Sequence, residues 1–338
     1  MNSANPHPPV HRSPERLSIV VCTHNGSRYL AEQLDSLLRQ TLRAEEIIIQ
    51  DDHSTDSTLS IAQAYAARHK EISVYSNEGP QGINGNFHSA MLRTTGTLIA
   101  LCDQDDIWEP LKLEHQVEAI GQNLLCACRS VAFSSDGFPI TPDHRRPNDH
   151  ILRMAYIGVY PGHTLLLRRE LLDLTGPIPK RPYLYDWQLQ LVAAATERVA
   201  FVDEPLVHFR RHAQAATATK PAPSSPMSRG AVGMLITCAV HHERLQNEVS
   251  RRFRCVEELL QPLPYATRAR SECLEMARLQ TRRGLGALTG RISFFLRHRE
   301  AIAYAKGGKT ASWLRAAAFA LTCGYYYRGV LRKNSPKP

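Results

Sequence analysis

Asp103-Gln104-Asp105-Asp106 packs three carboxylates into four residues, directly behind the apolar run Leu98-Ile-Ala-Leu-Cys102. Charges of one sign held so close repel, and a buried carboxylate without a partner is costly, so a counter-cation is expected there. Oxygen donors favour Mg²⁺ or Mn²⁺, and an ion with open coordination positions can bridge the oxygens of a diphosphate. An acidic turn in which Asp105 or Asp106 caps the next helix fits the same residues. Asp51-Asp52-His-Ser-Thr-Asp56 repeats the pattern behind Ile47-Ile-Ile49. Ser54 to Asp56 read as helix caps, whereas Asp52 lies near enough to the strand end to accept from a base N–H or a ribose hydroxyl. A third polar group, Thr23-His24-Asn25, closes the run Leu17-Ser-Ile-Val-Val-Cys22.

Periodicity indicates the elements that must carry these groups. Tyr29, Leu30, Leu34, Leu37 and Leu38 recur at helical spacing, Leu59 to Arg68 and Phe87 to Leu92 read as further helices, and Ser73-Val-Tyr75 as a weaker strand. Strands alternating with helices predict a parallel, doubly wound sheet covered on both faces. Ligands of such sheets bind beyond the carboxyl ends of the strands, and all three polar groups fall at that edge. The absence of GxGxxG after the first strand counts against a dinucleotide-binding Rossmann fold, and the absence of a GxxxxGKS or GxxxxGKT loop against a P-loop.

The chain has 338 residues, 43% hydrophobic and 22% charged, which excludes wholesale disorder and collagen-like repeats. Residues 1–16 carry four prolines and read as a disordered leader without the apolar stretch of a secretory signal. Eight cysteines lack metal-site spacing and read as buried thiols of a reducing compartment. The net charge of +9 is uneven: residues 282–338 hold twelve Lys/Arg and one acid, giving +11, so the rest sums to −2. A near-neutral body with a basic tail is expected to meet an anionic surface, either membrane or nucleic acid. The Ala/Ser/Pro/Thr-rich residues 214–229 read as a linker, and residues 230–338 as a helical, basic C-terminal region.

Val21-Cys-Thr-His-Asn25, Gln50-Asp-Asp-His-Ser-Thr-Asp56 and Leu101-Cys-Asp-Gln-Asp-Asp-Ile-Trp108 together resemble the marks of family 2 glycosyltransferases. The resemblance covers residues 17–213. It implies an α/β, GT-A-type doubly wound mixed sheet with the helical basic extension behind it. It also implies an inverting enzyme that takes one sugar from a nucleotide-sugar donor. Gly82-Ile-Asn-Gly-Asn-Phe87 and the CDQDDIW wording resemble the rhamnosyltransferase-like branch, which makes dTDP-rhamnose the first donor to try. On the same resemblance Thr23, Asn25, Asp52, Asn84 and Asp103 would hold the donor nucleotide, and Asp105, Asp103 and His212 the Mg²⁺ or Mn²⁺. Asp186 of Tyr185-Asp-Trp187 stands where the family carries its base, with His163 and Trp187 on the acceptor side. Two departures are His53, where a small residue is usual, and the lack of a QxxRW motif, which speaks for single-sugar transfer over processive synthesis.

The residues themselves fit that chemistry. Displacement at an anomeric carbon needs a base for the acceptor hydroxyl and stabilisation of a leaving diphosphate. Asp186 precedes the apolar stretch Leu189 to Ala195 and adjoins Trp187, so partial desolvation would raise its pKa toward useful basicity. It also fits a plain helix cap, His163 a satisfied buried imidazole, and Arg210 or Arg211 the work given to His212. The expected function is sugar transfer to a saccharide or lipid-linked acceptor in cell-surface polysaccharide assembly, with no nucleic-acid partner. The alternatives are a nucleotidyltransferase and a non-catalytic, membrane-associated module of the same fold. In the tail, Leu285, Leu288, Ile292, Phe294, Phe295 and Leu296 lie among arginines, and Ala316 to Tyr327 is far short of the roughly 20 residues a bilayer core requires. Basic amphipathic helices lying on an anionic membrane are expected, at the inner face of the plasma membrane of a cytoplasmic protein. A helical cap on the catalytic domain is the competing reading.

Overall fold

A computed structural model describes residues 15–140, 147–178, 182–213, 215, 231–302 and 309–331. The leader, except for Glu15 and Arg16, and the linker, except for Ala215, lie outside the described residues. The first half alternates β1 (Leu17–Thr23), α1 (Leu30–Leu38), β2 (Glu46–Asp51), α2 (Thr58–Ala66), β3 (Ile72–Ser76), α3 (Ile83–Arg93) and β4 (Leu98–Cys102). Then come β5 (Ile107–Trp108), α4 (Lys112–Ile120), β6 (Leu125–Phe133), α5 (Ile151–Met154), β7 (Leu165–Arg168), α6 (Arg169–Thr175), α7 (Tyr185–Ala195) and β8 (Val199–Arg210). The C-terminal region is helical: α8 (Ala231–Val240), α9 (His242–Leu260), α10 (Arg268–Thr281), α11 (Leu285–Arg297), α12 (Arg299–Ile302) and α13 (Lys309–Thr322), ending in a 3₁₀ segment over Cys323–Leu331.

One eight-stranded mixed sheet runs β3-β2-β1-β4-β7-β6-β8-β5. β1 to β4 are mutually parallel and β7 is antiparallel to both β4 and β6. β1 and β4 are buried along their whole length, which explains their unbroken apolar sequence. Register sets the site: Thr23 lies opposite Asp51, and Val21 opposite Cys102, so the polar groups that follow β1, β2 and β4 share one edge. The short β5 returns antiparallel to β8, pairing Ile107 with His208 and Trp108 with Val207. The Asp103–Asp106 turn is therefore tied to a strand on each side, and the end of β8 is drawn up to it.

Side-chain alternation divides the core between the two faces of the sheet. Leu17, Ile19, Val21, Leu98 and Ala100 pack with α1, α2 and α4 on one face. Val20, Cys22, Ile99 and Leu101 pack on the other with α3 and α7, in a cluster that continues through Phe253, Phe294, Phe295 and Ala316 to Cys323. The C-terminal helices thus close the second face of the sheet. Phe294 and Phe295, read from sequence as membrane-facing, are buried in that cluster. All eight cysteines are free and buried.

A core continuous from β1 to Cys323 predicts that the sheet and the C-terminal helices unfold together. Phe253→Ala, at a fully buried position, should cost about 3–5 kcal/mol. Denaturant unfolding followed by far-UV CD and by tryptophan fluorescence should give coincident single transitions in wild type and variant. Two separated transitions would show that the helices fold independently.

Candidate active site

The turn after β4 separates its three carboxylates by depth. Asp106 is fully buried; its Oδ1 accepts the backbone N–H of Arg210 at 3.0 Å, and its Oδ2 has no hydrogen-bond partner among the described residues but lies 3.4 Å from His163 Nδ1. The same nitrogen is 3.3 Å from Asp103 Oδ2. Asp103, Asp106 and His163 thereby bring three possible metal-donor atoms within 4.8 Å of one another. Burial raises the Asp106 carboxyl above its ordinary range. Burial alone would lower His163, but the carboxylates of Asp106 and Asp103 reverse this and raise it. His163 is seated in the fold by a stack on Phe209, ring centroids 4.9 Å apart, and its Nε2 has no hydrogen-bond partner among the described residues.

Asp105 forms a separate pair. Its Oδ2 is 2.8 Å from His212 Nε2, and the His212 ring lies 4.9 Å from that of Tyr29. Burial first, and then the charge of Asp103, raises the Asp105 carboxyl. Arg210 holds the pair in place: Nε donates to the carbonyl of Asp105 at 2.9 Å and Nη1 to Ser135 Oγ at 2.9 Å. Its Nη2 meets Glu32 at 2.5 Å, and the guanidinium sits between the Tyr29 and Phe133 rings, 4.5 Å from each centroid. This guanidinium neutralises Glu32 and not the aspartates of the turn. Of the residues expected to hold a metal, Asp105 and His212 are brought into contact, while Asp103 is engaged with His163. Asp103 and Asp105 keep partly exposed carboxylates, at 37% and 16%, whereas that of Asp106 is at 0%.

Asp186 lies in the first turn of α7, where its Oδ1 accepts the N–H of Trp187 at 2.7 Å. Burial pushes its pKa up to about 6; Asp103 adds to the rise, while His163 and Arg252 oppose it. This end of α7 is gripped from two sides. On one side, Asn84 of α3 accepts from the N–H of Tyr185 at 2.9 Å and donates to the carbonyl of Tyr183 at 2.8 Å. On the other, Arg252 of α9 stacks 3.3 Å from the Trp187 ring centroid and 4.4 Å from that of Tyr183, and donates to the carbonyl of Ala155. Trp187 itself is a core residue, its indole N–H donated to the carbonyl of Met154 at 2.8 Å. Tyr185 stacks on Phe87 at 4.1 Å, and its hydroxyl would lie 2.0 Å from a Cβ at position 162, so glycine is required there.

At the edge of β1 and β2, Thr23 donates to Asp51 at 2.8 Å. Asp52 accepts from Asn77 Nδ2 at 2.8 Å and from the N–H of Gly82 at 2.7 Å, fastening the loop before α3. Asn25, in the left-handed region at φ 50°, accepts from the N–H of Thr55 at 2.8 Å. Gln104 spans the gap between turns, accepting from the N–H of His24 at 2.9 Å and donating to its carbonyl at 3.0 Å. Gly26 is needed for that approach, because a Cβ there would meet Gln104 Oε1 at 2.1 Å. Sequence reasoning passed over Asp106 as a buried partner, Gln104 and Arg252. An arginine within the apolar stripe Leu245, Val249, Phe253 was the available signal for the last.

Residues 18–176 match the family model described as glycosyl transferase family 2. The uncharacterized protein Mb1547 of Mycobacterium bovis is 30% identical over 209 residues, covering 58% of this chain and 59% of that protein. The putative teichuronic acid biosynthesis glycosyltransferase TuaG of Bacillus subtilis is 32% identical over 136 residues, 40% of this chain and 52% of its own. The chain thus spans little more than half the length of these curated relatives. Among solved structures, S. aureus TarS 1–349 in complex with UDP superposes with a TM-score of 0.54 at 14% identity, covering 93% of this chain and 92% of that one. The likeness extends through the C-terminal helices and identifies the fold as GT-A, as the sequence motifs implied.

The buried contact between Asp106 and His163 yields a graded stability test. Asp106→Ala strands the imidazole and the N–H of Arg210, and should cost about 3–5 kcal/mol. Asp106→Asn keeps an acceptor for that N–H and lets His163 become neutral, so its loss should be less than half as large. Chemical denaturation in the presence of chelator measures both; equal losses would mean that volume, and not charge, holds the turn.

Proposed function

We propose, for a chain whose residues 18–176 match the family 2 glycosyltransferase model, that it is a family 2 glycosyltransferase and moves one sugar with inversion from a nucleotide-sugar donor to a saccharide or lipid-linked acceptor. The place of this step is cell-surface polysaccharide assembly on the cytoplasmic side of the membrane. The observation that carries the reading is Asp186: a buried carboxyl with a pKa pushed up to about 6, within electrostatic reach of Asp103 and His163 beside the strand-end carboxylates.

Each residue has a part in a single displacement. Asp186 takes the proton of the acceptor hydroxyl, and its raised pKa makes it a stronger base than an ordinary carboxylate while leaving it ionised at neutral pH. Asp105 and His212 supply an oxygen and an imidazole nitrogen already in contact, and Asp103 adds a partly exposed carboxylate on the same turn, donors that would suit Mn²⁺ or Mg²⁺. A divalent ion held there would offset the negative charge of the departing diphosphate. Asp106 and His163 keep the turn in place beneath these ligands. Thr23, Asn25 and Asp52 line the nucleotide edge, with Asp52 offering its remaining lone pairs to the base or ribose. Asn84 acts through α7, by holding Tyr183 and Tyr185. The CDQDDIW wording favours dTDP-rhamnose as donor. The UDP bound by TarS makes UDP-sugars the necessary comparison.

Purified protein incubated with Mn²⁺ and a panel of dTDP-, UDP- and GDP-sugars should release nucleotide diphosphate, most rapidly from dTDP-rhamnose. Turnover of UDP- or GDP-sugars alone would refute the rhamnosyl assignment, and no turnover of any would refute transfer.

Asp186→Asn should lower transfer about 10²–10⁴-fold while calorimetric nucleotide affinity stays unchanged. In wild type the base works deprotonated, so the rate should fall as pH drops through about 6 and level off above it. Parallel loss of affinity and transfer would make Asp186 a structural cap.

Asp105→Asn and His212→Ala should each weaken Mn²⁺ binding, read by calorimetry or electron paramagnetic resonance, by more than about 100-fold, the upper range for losing only an outer-shell partner. Chelator should abolish wild-type transfer. Full activity in excess chelator would remove the metal from the mechanism.

A further inference from the structure

Fifteen large apolar side chains are exposed among the described residues, and seven belong to three C-terminal helices: Leu235, Ile236 and Val240 of α8, Leu285 of α11, and Trp313, Leu314 and Leu321 of α13. Monomer surfaces carry single exposed leucines without consequence, whereas a cluster marks a contact face. These residues are clustered. α8, the start of α11 and the end of α13 meet at a cavity of about 280 Å³ lined by Cys238, Leu285 and Leu321. The end of α11 and the start of α13 border a groove of about 560 Å³ that includes Leu296, Arg297, Arg299 and Trp313. The two helices therefore run antiparallel, with outward apolar groups at both ends. α13 has two apolar sides: Ala316 and Ala320 are buried in the core, while Trp313, Leu314 and Leu321 face out at i, i+1 and i+8.

Charge identifies the occupant. α8 has no charged residue, the chain beyond Glu300 has no acid, and residues 282–338 sum to +11 against −2 for the remainder. Arg315 and Arg328 are exposed on or just beyond α13, and Arg299 stacks 5.2 Å from Trp313. Apolar side chains and a tryptophan fringed by arginine match an anionic bilayer interface, where aromatic rings sit at headgroup depth and basic side chains meet phosphates; at this fringe Arg299 also meets Glu300, and Arg297 meets Glu275, each at 3.4 Å. Among the described residues no helix is long and apolar enough to cross a membrane, so contact would be along the surface.

We infer that the outer face of α8, α13 and the first turn of α11 docks this protein on anionic phospholipid, with Trp313, Leu314 and Leu321 entering the interface. This face keeps Leu285 and Leu321 of the stretches the sequence pattern indicated but not Phe294 and Phe295, which lie inside the fold. The inference stands apart from the transfer reading and concerns where the protein sits, not what it catalyses.

Flotation of the full chain with phosphatidylcholine vesicles, with and without phosphatidylglycerol, tests it. Binding should require phosphatidylglycerol and decline with salt. Leu314→Glu and Leu321→Glu should each reduce vesicle affinity about tenfold, the worth of one buried leucine, and Arg315→Gln about fivefold. Leu92→Glu, exposed on α3 away from this face, should bind as wild type does. Thermal melts of the variants should match wild type, and donor turnover without vesicles should be unaffected, so a failure of docking and a failure of transfer are read separately. Absence of wild-type binding, or unaltered binding by both glutamate variants, would overturn the inference. So would a solution dimer that Leu314→Glu dissociates, which would assign the face to a second copy of the chain.

Discussion

Asp106 carries its carboxyl into the protein with no exposed surface, and its surroundings are arranged around that fact. One oxygen is held by the N–H of Arg210 at the end of β8, and the other lies against the imidazole of His163, which in turn contacts Asp103. A buried charge this poorly solvated persists only with partners on fixed backbone. Those partners come from the end of β8 and from the segment leading into β7. The turn after β4 is thus locked to two other parts of the sheet. Its remaining carboxylates, on Asp103 and Asp105, stay near the surface with fewer compensating charges than they need. His163 and His212 are the imidazoles set against them, and Arg210 directs its guanidinium to Glu32. The unbalanced negative charge at the strand edge is the physical reason to expect a cation there.

The C-terminal helices belong to the same arrangement. α9 brings Arg252 under Trp187 and Tyr183, so the end of α7 that bears Asp186 rests on residues outside the stretch matched to the family. Its positive charge opposes the rise in the Asp186 pKa, while burial and Asp103 drive that rise. Basicity at this position is therefore set jointly by the sheet edge and by a helix that comes late in the chain.

Much of the first half was legible in the sequence because local pattern and fold agree there. Leu98 to Cys102 was read as a strand with the bounds it has, and the runs that became β1, β2 and β3 were found within one or two residues. The strands β6 and β8 were not read as such. Arg129 and Ser130 interrupt the apolar run of β6, and its pairing with β8 shifts register at Cys128, Arg129 and Ser130, so neither alternates cleanly. Residues 284–299 were legible as apolar and amphipathic, but the partner was not. Only packing shows that Phe294 and Phe295 face other helices while Leu285 does not.

The pairing of histidines with aspartates shows most sharply what local pattern leaves open. His163 and His212 each lie in a polar stretch at a strand boundary, and nothing in their neighbours says which carboxylate either will meet. The decision is topological. β5 is two residues long and returns antiparallel to β8, which aligns Ile107 with His208 and carries the chain on to set His212 against Asp105. β7 lies between β4 and β6, which delivers the preceding His163 to Asp103 and Asp106 from the other side. The motif supplies the carboxylates, and strand order decides which histidine each of them meets and which keep an exposed oxygen.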